Sequence, residues 1–451
     1  MSSESVQTLK VSDFAKVKGG KRMPAGTALS QQKSQHPYLR IVDFKDGGID
    51  KSNLQYVPDE VFPQIARYVI SDRDLYISIV GTIGLVGAVP KELNGANLTE
   101  NAAKICDIDE SKVNAKYLGY YLRSEVGQAA IRSLTVGSTQ PKLALFRIDQ
   151  IEVPCPPLAE QRGIAALLAA LDDRIALLRE TNATLEAIAQ ALFKSWFVDF
   201  DPVRAKMEGR APEGMDEATA ALFPDALEES ELGWVPKGWE VISLGSVCST
   251  TIGGLWGKDT QEEPDLVPAV SLRGVDLEHL RLTGFAKNAP IRWVKPSAMS
   301  KRRLTQTEVL IASSGAGPCG RPLWAGADFE AIYGLPVIFS NFVKRLECGT
   351  PAQAIFVDRV LAEMRETKEI WNYINGTSIP NLDDKLLLST KKMALPCAAV
   401  LAAFEEIVKA IYLITYSEQA QTLANLRDTL LPRLISGQLR LPDAQALAAE
   451  V

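Results

Sequence analysis

The amino-acid sequence predicts an α+β chain in which one domain occurs twice and each copy is followed by a long helix. An internal repeat with a period of about 240 residues indicates the duplication of a whole domain. Each copy mixes helical stretches with short apolar strands that glycine and proline interrupt, which is typical of α+β domains. The first long helical segment carries an apolar seam with coiled-coil spacing.

Four pairs of segments occur in the same order in both halves and define the repeat. A repeat with a short period would indicate a solenoid, whereas a period as long as this one indicates two related domains. The pairs are Val17–Gly20 with Thr251–Gly254, Asp74–Gly81 with Glu308–Gly315, Gly137–Leu143 with Gly376–Leu382, and Ile151–Pro157 with Met393–Ala399.

Local patterns assign the main elements of each copy. Tyr76–Val80 and Val309–Ala312 are apolar runs that predict buried strands ended by glycine. Lys116–Arg123 and Ile355–Ala362 have helical patterns. The segment Pro202–Trp239 contains repeated prolines and predicts an irregular connection between the copies.

The first long helix is predicted to be one strand of a coiled coil. Steps of four and three residues from Ile164 give a seam in which Asn182 is the single polar position, and a polar seam residue fixes register at a cost in stability. From Ile164 to Trp196 the helix would span about 50 Å. The alternative is an ordinary core helix. The seam positions are Ile164, Leu168, Leu171, Ile175, Leu178, Asn182, Leu185, Ala189, Leu192 and Trp196.

A lone helix cannot bury this seam, so the second helical segment is its predicted partner. The apolar spacing of that segment slips between Ile414 and Leu423, where less regular packing is expected. Its predicted seam positions are Val400, Phe404, Ile407, Ile411, Ile414, Leu423, Leu426 and Leu430.

Charge is distributed unevenly in a chain whose formal net charge is −6. The range 10–45 holds eight Lys and Arg residues against two Asp, and the range 281–303 holds seven with no acid. Clustered cations in an otherwise acidic chain favour binding to a polyanion, because the local field matters more than the total charge.

Several classes of chemistry are disfavoured. The closest approach to a phosphate-binding loop, Gly253–Asp259, is one residue short and ends in Asp, and Gly315–Gly320 reads as a turn after a strand. No Asn-Pro-Pro-aromatic tetrapeptide of adenine methyltransferases occurs. The six cysteines form no C-x-x-C pair and only two histidines occur, so buried apolar thiols are expected rather than a metal site.

The sequence also predicts a cytoplasmic protein. No apolar run approaches the length of a transmembrane helix. The first residues lack the basic and apolar stretches of a secretory signal, so no membrane association is expected.

Several segments carry a resemblance to the specificity subunits of type I restriction-modification systems. Pro156–Ile164 is similar to the opening of the central conserved helix in that family, and the entry to the second copy and the end of the last helix are also similar. The second copy departs from the pattern, since Pro396–Phe404 lacks the Pro-Leu-x-x-Gln opening. The other similar segments are Leu171–Ile175, Asn182–Glu186, Ala191–Pro202, Ser230–Val241 and Leu426–Gly437.

The resemblance implies a recognition subunit without catalytic residues, metal or cofactor of its own. Two target-recognition domains would each read one half of a bipartite site in double-stranded DNA. Two antiparallel coiled-coil helices would separate the domains and bind two modification subunits, which carry S-adenosylmethionine and methylate adenine. Two restriction subunits, which are motor nucleases, can join. The implied boundaries are 1–157 and 241–397 for the recognition domains, 158–200 and 398–440 for the helices, 201–240 for a linker and 441–451 for a tail.

Given this implied function, the basic clusters are the candidate DNA contacts, because Lys and Arg contacts to phosphate supply affinity and base-edge contacts supply specificity. A solvated surface charge is the alternative for each residue taken singly. The candidates are Lys16, Lys18, Lys21, Arg22 and Arg40 in the first domain, and Arg273, Arg292, Trp293, Lys301, Arg302 and Arg303 in the second.

Three other functions remain open at this point. A specificity subunit of a methylation-only or type IIB-like system would have the same sequence features. A degenerate coiled-coil scaffold would bind no DNA. An autonomous methyltransferase or nuclease is disfavoured by the missing motifs.

Overall fold

The computed structural model describes residues 6–45, 47–137, 141–376, 378–416 and 419–449. The chain divides into two compact units: Met1–Arg174 with Thr422–Val451 form the first, and Ile175–Gln421 form the second. Part of the predicted repeat pair Gly137–Leu143 and Gly376–Leu382 lies outside the described residues.

Short strands make up the sheets of both units. The strands are β1 (Gln7–Lys10), β2 (Lys16–Gly19), β3 (Pro37–Leu39), β4 (Phe44–Lys45), β5 (Gly48–Ile49), β6 (Gln55–Tyr56), β7 (Val69–Ile70), β8 (Leu75–Ser78), β9 (Val86–Ala88), β10 (Ala96–Leu98), β11 (Ala102–Cys106), β12 (Glu152–Cys155), β13 (Leu227–Ser230), β14 (Gly233–Pro236), β15 (Glu240–Ser243), β16 (Cys248–Gly253), β17 (Val267–Leu272), β18 (Ile291–Val294), β19 (Glu308–Ala312), β20 (Pro322–Trp324), β21 (Val337–Phe339), β22 (Val343–Cys348), β23 (Ile374–Asn375), β24 (Asn381–Leu382) and β25 (Lys392–Leu395).

Helices range from single turns to one long helix. They are α1 (Phe62–Ile65), α2 (Ala115–Arg123), α3 (Glu125–Ser133), α4 (Leu145–Ile148), α5 (Leu158–Phe197), α6 (Asp201–Met207), α7 (Glu217–Ala221), α8 (Gly274–Thr283), α9 (Pro296–Ser300), α10 (Phe329–Tyr333), α11 (Pro351–Glu366), α12 (Asp384–Thr390), α13 (Ala398–Thr415), α14 (Gln419–Ile435) and α15 (Leu441–Ala449).

The two units repeat one sheet topology, as the sequence duplication predicts. An antiparallel sheet has the order β2-β11-β8-β9 in the first unit and β16-β22-β19-β20 in the second. A second sheet contains one parallel pair, which is β3 with β10 in the first unit and β17 with β21 in the second. The first and last strands of each domain also pair with each other, β1 with β12 and β15 with β25. The mixed sheets and helices agree with the predicted α+β class.

The glycine pairs that open each domain copy are explained by close backbone contact. Gly20 lies against carbonyl oxygens at the end of β10, and Gly254 lies against those at the end of β21. A side chain at either position would collide with the backbone, so only glycine fits. The two strands predicted at Tyr76–Val80 and Val309–Ala312 correspond to the buried central strands β8 and β19.

The connection between the domains is more ordered than its prolines predict. It contains α6, α7 and the hairpin β13–β14. Phe223, Val235 and Trp239 are buried in the core of the second unit, where Phe223 packs edge-on against Trp196 with ring centroids 5.0 Å apart. Buried aromatic side chains therefore fix this segment, which proline spacing alone cannot reveal.

The predicted seam of α5 is the buried side of that helix. Every predicted seam position is buried or half-buried, and Asn182 is 6% exposed. Near the start of α5, Gln161 is buried and donates to the carbonyl oxygens of Lys112 and Pro156 at 3.1 and 2.9 Å. This explains the glutamine of the Pro156–Ile164 segment, which holds α5 against the first domain.

The second helical segment differs in detail from the prediction. It comprises α13 and α14, and the link at residues 417 and 418 lies outside the described residues. Ile407 and Ile414 are exposed, whereas Val408 and Tyr412 are buried. The heptad spacing fails here because α13 packs against α11 as well as α5, so its buried surface is wider than one seam.

Other predicted seam residues of this segment lie on the buried side. Val400, Phe404 and Ile411 are buried in α13, and Leu423 and Leu430 are buried in α14. Leu426 is half-buried. The predicted tail after residue 440 contains the helix α15.

Contacts inside the second unit show that α5 and α13 run antiparallel. The ring of Phe193 lies 6.2 Å from that of Phe404, while Asn182, eleven residues earlier, contacts Thr415, eleven residues later. In the first unit Asp172 of α5 forms an ion pair of 2.6 Å with Arg427 of α14. Each unit therefore packs a part of α5 against a part of the C-terminal helical segment.

Candidate nucleic-acid interface

The first two candidate cations of the first domain lie on the edge strand β2. Both Lys16 and Lys18 are exposed, and their ammonium nitrogens lie 3.2 and 3.3 Å from one carboxylate oxygen of Asp107. Hydrogen bonds from these two lysines hold the pKa of Asp107 below its usual range. Because one exposed carboxylate faces two ammonium groups, this edge keeps a positive charge that phosphate could engage.

The next two candidates follow the glycine pair at the end of β2. The Lys21 ammonium lies 5.8 Å from the centre of the Tyr68 ring. The exposed Arg22 guanidinium lies 3.2 Å from a carboxylate oxygen of Glu100. The candidates Lys16, Lys18, Lys21 and Arg22 are thus gathered along one strand and its extension.

Sequence reasoning missed an arginine and an aromatic residue beside these lysines. Arg67 donates a 2.7 Å hydrogen bond to the Tyr68 hydroxyl, and its guanidinium carbon lies 4.8 Å from the centre of that ring. Together with Lys18 and Lys104 they line a cavity of about 330 Å³, and we call Lys18, Lys21, Arg67 and Tyr68 the Tyr68 cluster. An isolated Arg-Tyr pair gives no charge run, so only the fold brings it to the basic edge.

Arg40 and Arg273 each form a bidentate ion pair within their own domain. The Arg40 guanidinium binds both carboxylate oxygens of Asp43 at 3.0 and 2.7 Å and donates to the carbonyl oxygen of Asn53. Arg273 makes the same bidentate pair with Asp276, at 2.9 and 3.0 Å. The buried aspartate three residues later holds each guanidinium in place, and the assignment of Arg40 and Arg273 as DNA contacts stays a prediction.

The cation run at the end of α9 contributes residues of three kinds. Lys301 is exposed and forms no ion pair with any residue that the structure describes. Arg302 donates to the carbonyl oxygens of Gly253 and Ala298 at 2.9 and 3.1 Å, and burial lowers its pKa. Arg303 is exposed and forms a bidentate pair with Glu330. Lys301 is therefore the most available cation of this run.

Arg292 and Trp293 lie on the strand β18. The Arg292 side chain is 14% exposed, its guanidinium lies 4.1 Å from the centre of the Trp256 ring, and it forms an ion pair with Asp259. The neighbouring Trp293 is half-buried in the pairing of β18 with β17. Trp256, which lies just past the glycine pair of β16, is a second aromatic residue that charge patterns do not reveal.

An acidic segment, residues 259–265, neutralises the cations around β18. Besides Asp259, Glu262 lies 3.1 Å from the Lys258 ammonium and Glu263 lies 3.6 Å from that of Lys295. We call this segment the acidic loop. Its carboxylates thus pair with Lys258, Arg292 and Lys295.

Three further findings concern the part of the chain that the structure describes. No cluster of three or more His, Cys, Asp or Glu side chains there could hold a metal ion. No described helix is long and apolar enough to cross a membrane. Cys397 is exposed, unlike the other five cysteines, which are buried as expected.

Comparisons with known proteins agree with this architecture. The family model for the type I restriction modification DNA specificity domain matches residues 3–187. The chain is 25% identical to the specificity subunit of the type I restriction enzyme MjaIX from Methanocaldococcus jannaschii, over 96% of this chain and 93% of the relative. It is also 25% identical to the HindI specificity subunit from Haemophilus influenzae, over 87% of each chain.

A solved structure shares the fold over nearly the whole length. The crystal structure of the S subunit of a type I restriction-modification system from M. genitalium superposes with a TM-score of 0.52 at 16% identity, and the match covers 96% of each chain. At this identity the likeness shows a shared fold. The first part of the chain thus matches the type I restriction modification DNA specificity domain, and nearly the whole chain is similar to specificity subunits of type I restriction enzymes.

Proposed function

We propose that this protein reads a bipartite site in double-stranded DNA as the specificity subunit of a type I restriction-modification complex. The observation that carries the proposal is the duplication: two domains of one topology each present exposed cations beside the same glycine-terminated edge strand, β2 or β16. Two related domains suit two half-sites, and phosphate contacts would set the register from which base edges are read.

The proposed role is recognition without chemistry in this chain. Adenine methylation would belong to modification subunits that carry S-adenosylmethionine, and cleavage to restriction subunits that can join. A protein with this role acts where the genome is, which places it in the cytoplasm. Two modification subunits per chain would match its two domains.

Apolar side chains that remain exposed on the long helices support the docking of modification subunits. On α5 these are Leu177 and Ile188, and on α13 they are Ile407, Leu413 and Ile414. A helix pair that has buried its own seam still offers these side chains to a partner. We propose that the helices also set the gap between half-sites, since one turn of B-DNA, about 34–36 Å, separates sites read on one face.

Mapping of methylated adenines in the source genome, with and without this gene, tests the function directly. The expected result is a bipartite motif that loses methylation when the gene is deleted. Co-purification of one copy of this chain with two modification subunits would support the proposed assembly. The proposal would be contradicted if the motif were still methylated after deletion of the gene, or if the chain did not bind the modification subunit. Either result would favour a scaffold without DNA binding.

The neighbouring genes separate the remaining alternatives. A methylation-only system would methylate the motif and would have no gene for a restriction subunit beside this one. A type IIB-like system would cleave the DNA on both sides of the motif. In both cases this chain would keep the same recognition role.

A further inference from the structure

A half-buried cation of the first domain holds the backbone beside the Tyr68 cluster. The Lys104 ammonium on β11 donates to the carbonyl oxygen of Val69 at 2.7 Å and lies 3.3 Å from a carboxylate oxygen of Asp74. Asp74 in turn accepts a 2.9 Å hydrogen bond from the backbone nitrogen of Ser71. Lys104 thus ties the end of the segment that carries Arg67 to the start of the central strand β8.

The second domain repeats this arrangement with an arginine. Arg345 on β22 donates to the carbonyl oxygen of Arg303 at 3.3 Å and lies 3.1 Å from a carboxylate oxygen of Glu308. Glu308 accepts a 2.8 Å hydrogen bond from the backbone nitrogen of Thr305. The same three contacts, cation to carbonyl, cation to acid and acid to backbone nitrogen, therefore occur in both domains.

Strand register proves that the positions are equivalent. Lys104 is paired with Tyr76 across the sheet, and Arg345 is paired with Leu310. Each of these partners follows its acid, Asp74 or Glu308, by two residues. Counting back from the acids by equal steps places Val69 with Arg303, Tyr68 with Arg302, and Arg67 with Lys301.

We propose that Arg67 and Lys301 are equivalent contacts to DNA phosphates, one in each domain, and that Lys104 and Arg345 are the positioning residues that hold them. This inference rests on the proposed function and adds Arg67, which no charge run indicates. Both Arg67 and Lys301 are exposed, and each lies in a segment whose backbone a half-buried cation holds.

The surroundings of Arg67 suit a phosphate group. The residues that line the cavity beside it include three cations and no acid. The Tyr68 ring fixes the guanidinium from one side, and Lys21 lies on the same ring, so the cations are oriented before DNA arrives. A preorganised guanidinium can engage a phosphate through two hydrogen bonds.

The test uses the full chain assembled with its modification subunits and a duplex that contains the mapped target. Arg67→Ala and Lys301→Ala should each weaken binding about fivefold and each lower the slope of log affinity against log salt by about one. Arg132→Ala, an exposed arginine on α3, is the matched control and should change neither quantity.

The positioning role has its own readout. Lys104→Met should weaken DNA binding as much as Arg67→Ala does. Lys104→Arg introduces the residue type of the second domain and should keep the affinity of the wild type. Thermal melting of each variant shows whether the fold survives. If Lys104→Met unfolds the domain, Arg67→Ala and Lys104→Arg still decide the inference.

The outcomes separate this inference from the proposed function. A wild-type complex that binds no target DNA overturns both. A wild-type complex that binds, with Arg67→Ala unchanged in affinity and salt slope, overturns only the assignment of Arg67. Equal binding by folded Lys104→Met and wild type overturns the positioning role.

Discussion

The side-chain amide of Asn182 donates a 3.3 Å hydrogen bond to the backbone carbonyl oxygen of Thr415, the last residue of α13. The terminal carbonyls of a helix have no partner within it, so the one polar residue of the α5 seam meets one such group. We expect Asn182→Ala to lower the free energy of unfolding by about 1–3 kcal/mol, because a buried carbonyl loses its donor. Urea denaturation measures the change, and Thr181→Ala, at an exposed position on the same helix, should be nearly neutral. Equal losses in both variants would mean that the hydrogen bond contributes nothing.

A buried ionic cluster in the second unit should be more sensitive. Asp358 and Arg359 are fully buried, and Asp358 accepts hydrogen bonds from Arg281 and Tyr412. Glu186 on α5 completes the cluster, at 3.0 Å from Arg281 and 2.9 Å from Arg359. The two guanidiniums thus face two carboxylates. Asp358→Asn removes one negative charge and should cost about 3–5 kcal/mol of unfolding free energy.

A surface pair provides the comparison for this variant. Glu208→Gln breaks the exposed pair with Arg210 and should cost about 1 kcal/mol or less. Both variants are compared with wild type by thermal and urea denaturation. Similar losses of unfolding free energy in the two variants would show that the buried cluster stabilises the fold no more than the exposed pair does.

The acidic loop is expected to compete with DNA for the cations around β18. Replacement of Asp259, Glu262 and Glu263 by their amides should tighten binding of the assembled complex to DNA and steepen its salt dependence, because Arg292, Lys258 and Lys295 would be released. Binding is titrated at several salt concentrations.

The matched control changes the net charge equally at other exposed acids of the second unit. Glu213→Gln, Asp225→Asn and Glu229→Gln together should have a much smaller effect, since these residues lie away from the β18 cations in the chain and form no ion pair described by the structure. Equal tightening by both triple variants would assign the effect to net charge and not to the acidic loop.

The long helix gives a prediction about the spacing of the half-sites. Four residues inserted near Thr181 add about 6 Å and about one turn, so the apolar seam stays on roughly the same side. Both half-sites should still be recognised, with a gap longer by about two base pairs at roughly 3.4 Å each. Methylation of targets with systematically varied gaps measures the preference.

A two-residue insertion at the same place serves as the control, because it rotates the seam by about 200° and should prevent assembly. If the four-residue insertion leaves the preferred gap unchanged, the helices do not set the spacing.

The sequence by itself determined the duplication, the α+β class and the long helix. These features follow from patterns that are local along the chain: strand alternation, glycine positions and the seam from Ile164 to Trp196, every position of which is at least half-buried. A resemblance carried by Pro156–Ile164 indicated similarity to type I specificity subunits, and the structure shows why its glutamine matters, since Gln161 makes buried hydrogen bonds to the backbone.

The tertiary structure alone decided how the charged residues are held. Arg40 and Lys18 look equally basic in the sequence, yet Arg40 forms a bidentate pair with the buried Asp43, whereas Lys18 lies on an exposed edge strand and shares Asp107 with Lys16. Arg67 lies in the turn before β7 and Lys104 lies on β11 of another sheet, so only the fold brings both to one cavity and no local pattern could have found them. The buried side of α13 was also a tertiary result, because α8 and α11 pack against it as well as α5.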